Sequence, residues 1–139
     1  MESEVRKAVI VEDSARFRDL LKLALSSFGI HDVIEAKDGK DALEVLEKTD
    51  VDVVVMDWTM VGMDGIACTR HIRNGMTRNT DVPIIMVTGR GGEDNIQHAY
   101  AVGVDVYLVK PISLKSLHGG IERAIGMPRD RLAVAACAG

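Results

Sequence analysis

Val53-Val54-Val55-Met56-Asp57 decides the fold: an apolar, β-branched run that stops on a carboxylate. Entered from Asp50 and Asp52, it reads as a short strand buried on both faces. Such a strand can end in a charged residue only where it reaches the edge of its sheet. In open α/β sheets the carboxyl ends of the strands are where ligands bind. Asp57 is therefore the first candidate for chemistry.

Working outward, the same pattern recurs. Ala8-Val9-Ile10-Val11 is an apolar run closed by Glu12-Asp13, and Ser14 follows as a helix N-cap. Phe17, Leu20, Leu21, Ala24, Leu25 and Phe28 then recur at helical spacing, and Gly29 stands where a C′ glycine would end the helix. Val33-Ile34-Glu35-Ala36 is a weaker strand, and Asp38-Gly39 turns into a helix with Ala42, Leu43 and Leu46 facing inward. Beyond Asp57 a loop through Trp58 leads to a helix carrying Ile66, Cys68 and Ile72, which frays near Asn74-Gly75. Trp58 is expected as a partly exposed lid or contact residue and not as a stacking platform.

Residues 83–88 form a further buried strand ending on Thr88, and Glu93 opens a helix that Gly103 closes. Residues 104–109 form the last strand, ending at Lys110-Pro111. Leu114, Leu117, Ile121 and Ile125 make the final helix, with Gly119-Gly120 expected on its exposed side. Residues 127–139 read as an Ala-rich mobile tail behind a single domain of residues 5–126. Strands alternating with helices of this length imply a flavodoxin-like (βα)5 domain. Its parallel sheet runs in the order 2-1-3-4-5, is covered by helices on both faces, and has its switch point between the first and third strands.

Composition narrows the classes. The chain has 139 residues, 47% hydrophobic and 27% charged, values of an ordinary globular domain. A net charge of −4 with scattered Lys and Arg argues against a nucleic-acid surface or a polybasic membrane patch. Two cysteines, Cys68 and Cys137, build no disulfide framework. The acidic N-terminus is no signal peptide, so the expected location is the cytoplasm. His31, His71, His98 and His118 lie on different elements without metal-ligand spacing.

The strand ends carry the chemistry. Glu12, Asp13 and Asp57 converge at the switch point, where each like-charge pair costs about 4 kcal/mol at ~4 Å and an effective dielectric near ~20. A hard divalent cation such as Mg²⁺ takes one or two carboxylates, with water and phosphate oxygens filling its octahedron. Lys110 supplies a second positive charge and Thr88 a hydroxyl on the same rim. These parts suit phosphoryl transfer to a carboxylate, with Asp57 attacking phosphorus and Thr88 and Lys110 binding oxygens.

At these residues the chain resembles the receiver domain of bacterial two-component response regulators. The motifs are Glu12-Asp13, Asp57 with Met60 and Met63-Asp64-Gly65, Thr88, Tyr107 and Lys110-Pro111. The resemblance implies that Asp57 accepts phosphate from a sensor histidine kinase or phosphotransfer protein. It implies that Asp13, Asp57 and the Thr59 backbone carbonyl ligate Mg²⁺, with Glu12 acting through water. Thr88 and Tyr107 are implied as a switch pair that alters the fourth helix, fifth strand and fifth helix, where a downstream protein docks. The implied protein is a phosphoacceptor and not a turnover enzyme. Thr59 and Arg90 hold the positions that tune phosphate lifetime in the family, and neither is an amide or carboxylate. Val61 stands where Pro is common, and Gly89 where Ala or Ser is frequent.

Three alternatives stand beside this. A flavodoxin-like FMN protein would place Glu12-Asp13 against the FMN phosphate, which they repel. An aspartate phosphatase lacks its second aspartate two positions after Asp57. The chain could also be a receiver fragment of a longer regulator; with no output domain after the tail, a stand-alone regulator is expected to act by docking, as chemotaxis and phosphorelay proteins do.

Overall fold

The computed structural model describes residues 6–126. Five strands alternate with five helices. In chain order they are β1 (Lys7–Val11), α1 (Ala15–Ser26), β2 (Asp32–Ala36), α2 (Gly39–Lys48), β3 (Val53–Met56), α3 (Gly65–Arg73), β4 (Ile84–Thr88), α4 (Glu93–Val102), β5 (Val106–Val109) and α5 (Leu114–Ile125). All pairings are parallel and the sheet order is β2-β1-β3-β4-β5, the expected topology.

Strand alternation divides the core into two layers. Val9, Val11, Val54, Met56, Ile84 and Met86 face α2, α3 and α4, where Leu46, Cys68, Ile72 and Ala99 meet them. Ala8, Ile10, Val53, Val55, Ile85 and Val87 face α1 and α5, against Leu21, Leu25, Leu117 and Ile121. Every β3 side chain from Val53 to Met56 is fully buried. Each contributes roughly 1.5–3 kcal/mol of transfer free energy, so β3 has no freedom to slip in register.

The caps follow the sequence closely. Ser14, Asp38, Asp64 and Ser113 each accept a backbone N–H with their side chains at the start of α1, α2, α3 and α5. Gly29, at φ +78°, ends α1 with the paired Gly29 N–H to Ser26 and Ile30 N–H to Leu25 bonds of a Schellman turn. Far from the strand ends, Arg73 donates to the Gly103 and Thr80 carbonyls and to Asp105, tying α3 to the entries of β4 and β5.

Some expectations are corrected. Val104 lies before β5, because its N–H closes the Schellman turn on Ala99 instead of joining the sheet. Gly120 is not on the exposed side of α5. It is buried, and a Cβ there would lie 3.0 Å from Leu108 Cδ1 and 3.3 Å from Val106 Cγ1. Gly119 alone faces outward, with Arg123 Nη1 at 3.8 Å as its nearest neighbour. The expected mobile tail and the boundary at residue 5 lie outside the described residues.

The glycine pair gives a direct check on this packing. Gly119→Ala should gain about 0.5–1 kcal/mol from helix propensity. Gly120→Ala should gain less or lose stability, because its methyl group must displace Leu108. Urea denaturation of the two variants should rank Gly119→Ala above Gly120→Ala; the reverse order would refute the assigned helix face.

Candidate active site

Parallel register determines which strand ends meet. Val11 lies opposite Met56, so Glu12 and Asp57 leave adjacent strands side by side. The Asp57 N–H donates to the Val11 carbonyl at 3.1 Å, extending the ladder by one step. On the other side Thr88 lies opposite Val109, and the Lys110 N–H donates to the Thr88 carbonyl at 2.7 Å. The Lys110–Pro111 peptide bond is cis.

The Lys110 ammonium joins the two halves. Its Nζ donates to Glu12 Oε1 at 3.0 Å and to Asp57 Oδ2 at 3.2 Å, and it lies 4.8 Å from the centre of the Phe17 ring. Burial alone would lower the Lys110 pKa. The hydrogen bond and charge of Glu12, then those of Asp57, outweigh that and leave it raised. A raised ammonium pKa gives stabilisation that is complete below the unfolded-state value and lost as pH climbs through the folded-state value. The bridge is thus intact at neutral pH.

Both carboxylates are further restrained. Glu12 is buried; its Oε2 accepts the Ser14 N–H at 3.1 Å, and its carbonyl accepts from Arg18 Nη1 at 2.7 Å. Asp57 Oδ1 accepts the Thr59 N–H at 3.3 Å. Arg18 also pairs with Glu35 at 3.0 Å, and Lys22 reaches the same carboxylate. These contacts, led by the Lys22 hydrogen bond, hold the Glu35 pKa below its ordinary value.

Glu12, Asp13, Asp57 and Thr59 line one small pocket of about 30 Å³, together with Lys37. Its oxygen donors fit a hard divalent cation that keeps several waters. Among the described residues no three carboxylates, histidines or cysteines close into a protein cage. Both oxygens of Glu12 and both oxygens of Asp57 already accept hydrogen bonds, so an ion here would share Asp57 with Lys110 and the Thr59 N–H.

Thr88 and Tyr107 occupy a second cluster behind Asp57. Thr88 is buried, and its hydroxyl accepts the Arg90 N–H at 3.2 Å. The Tyr107 hydroxyl donates to the Arg90 carbonyl at 2.8 Å, while the Tyr107 N–H donates to the Tyr100 hydroxyl. Burial raises the Tyr107 pKa; the Arg90 charge partly opposes this and Asp57 adds to it. Trp58 is not a partly exposed lid but is 5% exposed. Arg90 covers its ring at 4.6 Å, Tyr107 meets it edge-on, and His98 lies tilted beside it. The two positions expected to tune phosphate lifetime thus sit on separate sides: Thr59 holds Asp57, and Arg90 holds the Thr88–Tyr107 cluster.

Two contributors escaped the sequence reading. Lys37 follows a weak edge strand, where a charged residue reads as solvated. Gly65 reads as part of the Met63-Asp64-Gly65 motif with no stated task. Its N–H donates to the Trp58 carbonyl at 2.7 Å, and a Cβ there would stand 2.4 Å from the Asp57 carbonyl. Only glycine lets α3 approach the Asp57 backbone this closely.

Fold and site together define a doubly wound α/β protein with a charged, oxygen-lined site at its switch point. Residues 8–122 match the family model of the response regulator receiver domain, and the chain belongs to that family. Chemotaxis protein CheY1 of Helicobacter pylori is 36% identical over 121 residues, spanning 86% of this chain and 97% of that protein. The chemotaxis response regulator CheY4 of Vibrio cholerae superposes with a TM-score of 0.77 at 29% identity, covering 87% of this chain and 99% of the other. The receiver domain of a Pseudomonas aeruginosa sensor histidine kinase, described with magnesium in its active-site cleft, gives a TM-score of 0.75 at 28% identity, covering 89% and 100%. This is a receiver domain of the CheY type, and its function is phosphorylation-dependent signalling.

Gly65→Ala tests the close approach behind Asp57. The added methyl group must push backbone aside, at a cost of about 1–3 kcal/mol or more. Its urea midpoint should fall clearly below that of Gly119→Ala, and its Asp57 amide should shift in NMR spectra; an unchanged midpoint would contradict the packing.

Proposed function

We propose that Asp57 is the phosphoacceptor. The carrying observation is the Lys110 ammonium shared between Asp57 and Glu12. It holds the Asp57 carboxylate in place beside the small pocket of Asp13 and Thr59. An Asp57 oxygen attacks phosphorus, the new P–O bond forms, and the bond to the donor's leaving group breaks, with that group keeping the electron pair. Lys110 stays protonated throughout and transfers its contact to a phosphoryl oxygen.

Asp13, Asp57 and the Thr59 carbonyl hold Mg²⁺, and Glu12 acts through water. The ion, when bound, neutralises oxygens of the transferring group. Thr88 gives up its bond to the Arg90 N–H and turns its hydroxyl to the phosphoryl group. Tyr107, already bonded to Arg90, transmits that change. Thr59 and Arg90 set how long the phosphoryl group survives.

The donor is a sensor histidine kinase or phosphotransfer protein. Output passes through α4, β5 and α5, where Tyr100, Val109 and Leu114 present exposed apolar surface for a protein target. The protein works as a phosphoacceptor and not as a turnover enzyme. We place it in the cytoplasm; among the described residues no helix is long and apolar enough to cross a membrane.

Intact-mass measurement after treatment with Mg²⁺ and acetyl phosphate checks the assignment. Wild type should gain one phosphoryl group, and Asp57→Asn should gain none. Chelation of Mg²⁺ should abolish the wild-type gain. Undiminished labelling of Asp57→Asn would overturn the proposal.

A further inference from the structure

Three cations surround the carboxylates at the strand ends, and two are committed. Lys110 is shared by Glu12 and Asp57. Arg18 is held by the Glu12 carbonyl and by Glu35. Lys37 has a different status. It lines the small pocket with Asp13, Asp57 and Thr59, and also an adjoining pocket of about 300 Å³ with Arg18 and Glu35. Its side chain is exposed and forms no ion pair among the described residues.

Its backbone, by contrast, is fixed. Ala36 pairs with Val11 at the end of β2, and the Lys37 N–H donates to Asp41 Oδ2 at 3.1 Å. The root of the side chain is therefore anchored on the rim while its ammonium is free to move. Lys110 lines the groove along α1, so the two lysines flank the carboxylates from opposite sides. An exposed cation rooted on the rim beside Glu12, Asp13 and Asp57 opposes a divalent ion entering the same pocket. The same cation attracts an anionic phosphate ester or anhydride.

We propose that Lys37 is a second phosphate-binding cation of the site, one that engages the incoming phosphoryl donor from the β2 side of Asp57 and disfavours divalent-ion binding in the donor's absence. The inference rests on Asp57 as phosphoacceptor. It assigns Lys37 a binding role toward the donor and leaves bond making to Asp57. Two effects of opposite sign follow from one charge, and a purely structural lysine would give neither.

The test compares wild type with Lys37→Ala, Lys37→Arg and Lys40→Ala. Lys40 is an exposed residue of α2 outside the pocket and controls for net charge. Acetyl phosphate dependence is followed by intact mass, and Mg²⁺ affinity by the fluorescence of Trp58, the chain's one tryptophan. Lys37→Ala should need about two- to fivefold more acetyl phosphate for half-maximal rate and bind Mg²⁺ tighter by a similar factor. Lys37→Arg should keep wild-type donor dependence, and Lys40→Ala should match wild type in both assays. Unchanged donor dependence in Lys37→Ala, weakened Mg²⁺ binding, or equal effects from Lys40→Ala would overturn the proposal. A wild type that takes no phosphoryl group at Asp57 would instead overturn the phosphoacceptor assignment on which it rests.

Discussion

The Lys110 ammonium, 3.0 Å from Glu12 and 3.2 Å from Asp57, is the contact on which the site depends. Two carboxylates at the ends of neighbouring parallel strands repel, and β1 and β3 are too deeply buried to move apart. A cation from β5, across the width of β4, offsets that repulsion without breaking the register. Its cost is burial of the ammonium, which the two acidic partners more than recover. The resulting charge arrangement is stable at rest, and in the proposed chemistry a phosphoryl group would take over the lysine's bonds.

From that contact two clusters diverge. On one side Glu12, Asp13, Asp57 and Thr59 line a small pocket whose oxygen donors suit a hard cation. On the other, Arg90 gathers Thr88, Tyr107 and Trp58 through its backbone N–H, its carbonyl and its guanidinium respectively. Arg90 therefore links Trp58, next to Asp57, to the Tyr107 ring facing α4. In the proposed switch, a Thr88 hydroxyl leaving the Arg90 N–H for a phosphoryl oxygen would change a loop that is already braced at two further points. In the proposed mechanism this is the route by which a local charge change would reach the surface without any large rearrangement of the sheet.

Much of this was legible in the residues. A charge at the end of an apolar strand breaks its own pattern, so Glu12, Asp57, Thr88 and Lys110 announced the rim. The N-caps were readable because Ser and Asp stand just before amphipathic periods. Trp58 was not, because a loop residue's burial is set by what folds over it, here Arg90 and Tyr107. Gly120 was misread because a glycine looks like an interruption, although it lies between Leu117 and Ala124 on the buried stripe. Lys37 was passed over because one lysine after an edge strand carries no signal until the neighbouring strand ends are placed in space.

The central claim is that phosphoryl chemistry occurs on the Asp57 carboxylate and on no neighbouring acid. Borohydride reduction of the phosphorylated protein, followed by peptide mass mapping, reads this directly because an aspartyl phosphate becomes homoserine. The account predicts homoserine at position 57 alone. Conversion at position 13, or reduction of Glu12 in its place, would contradict it.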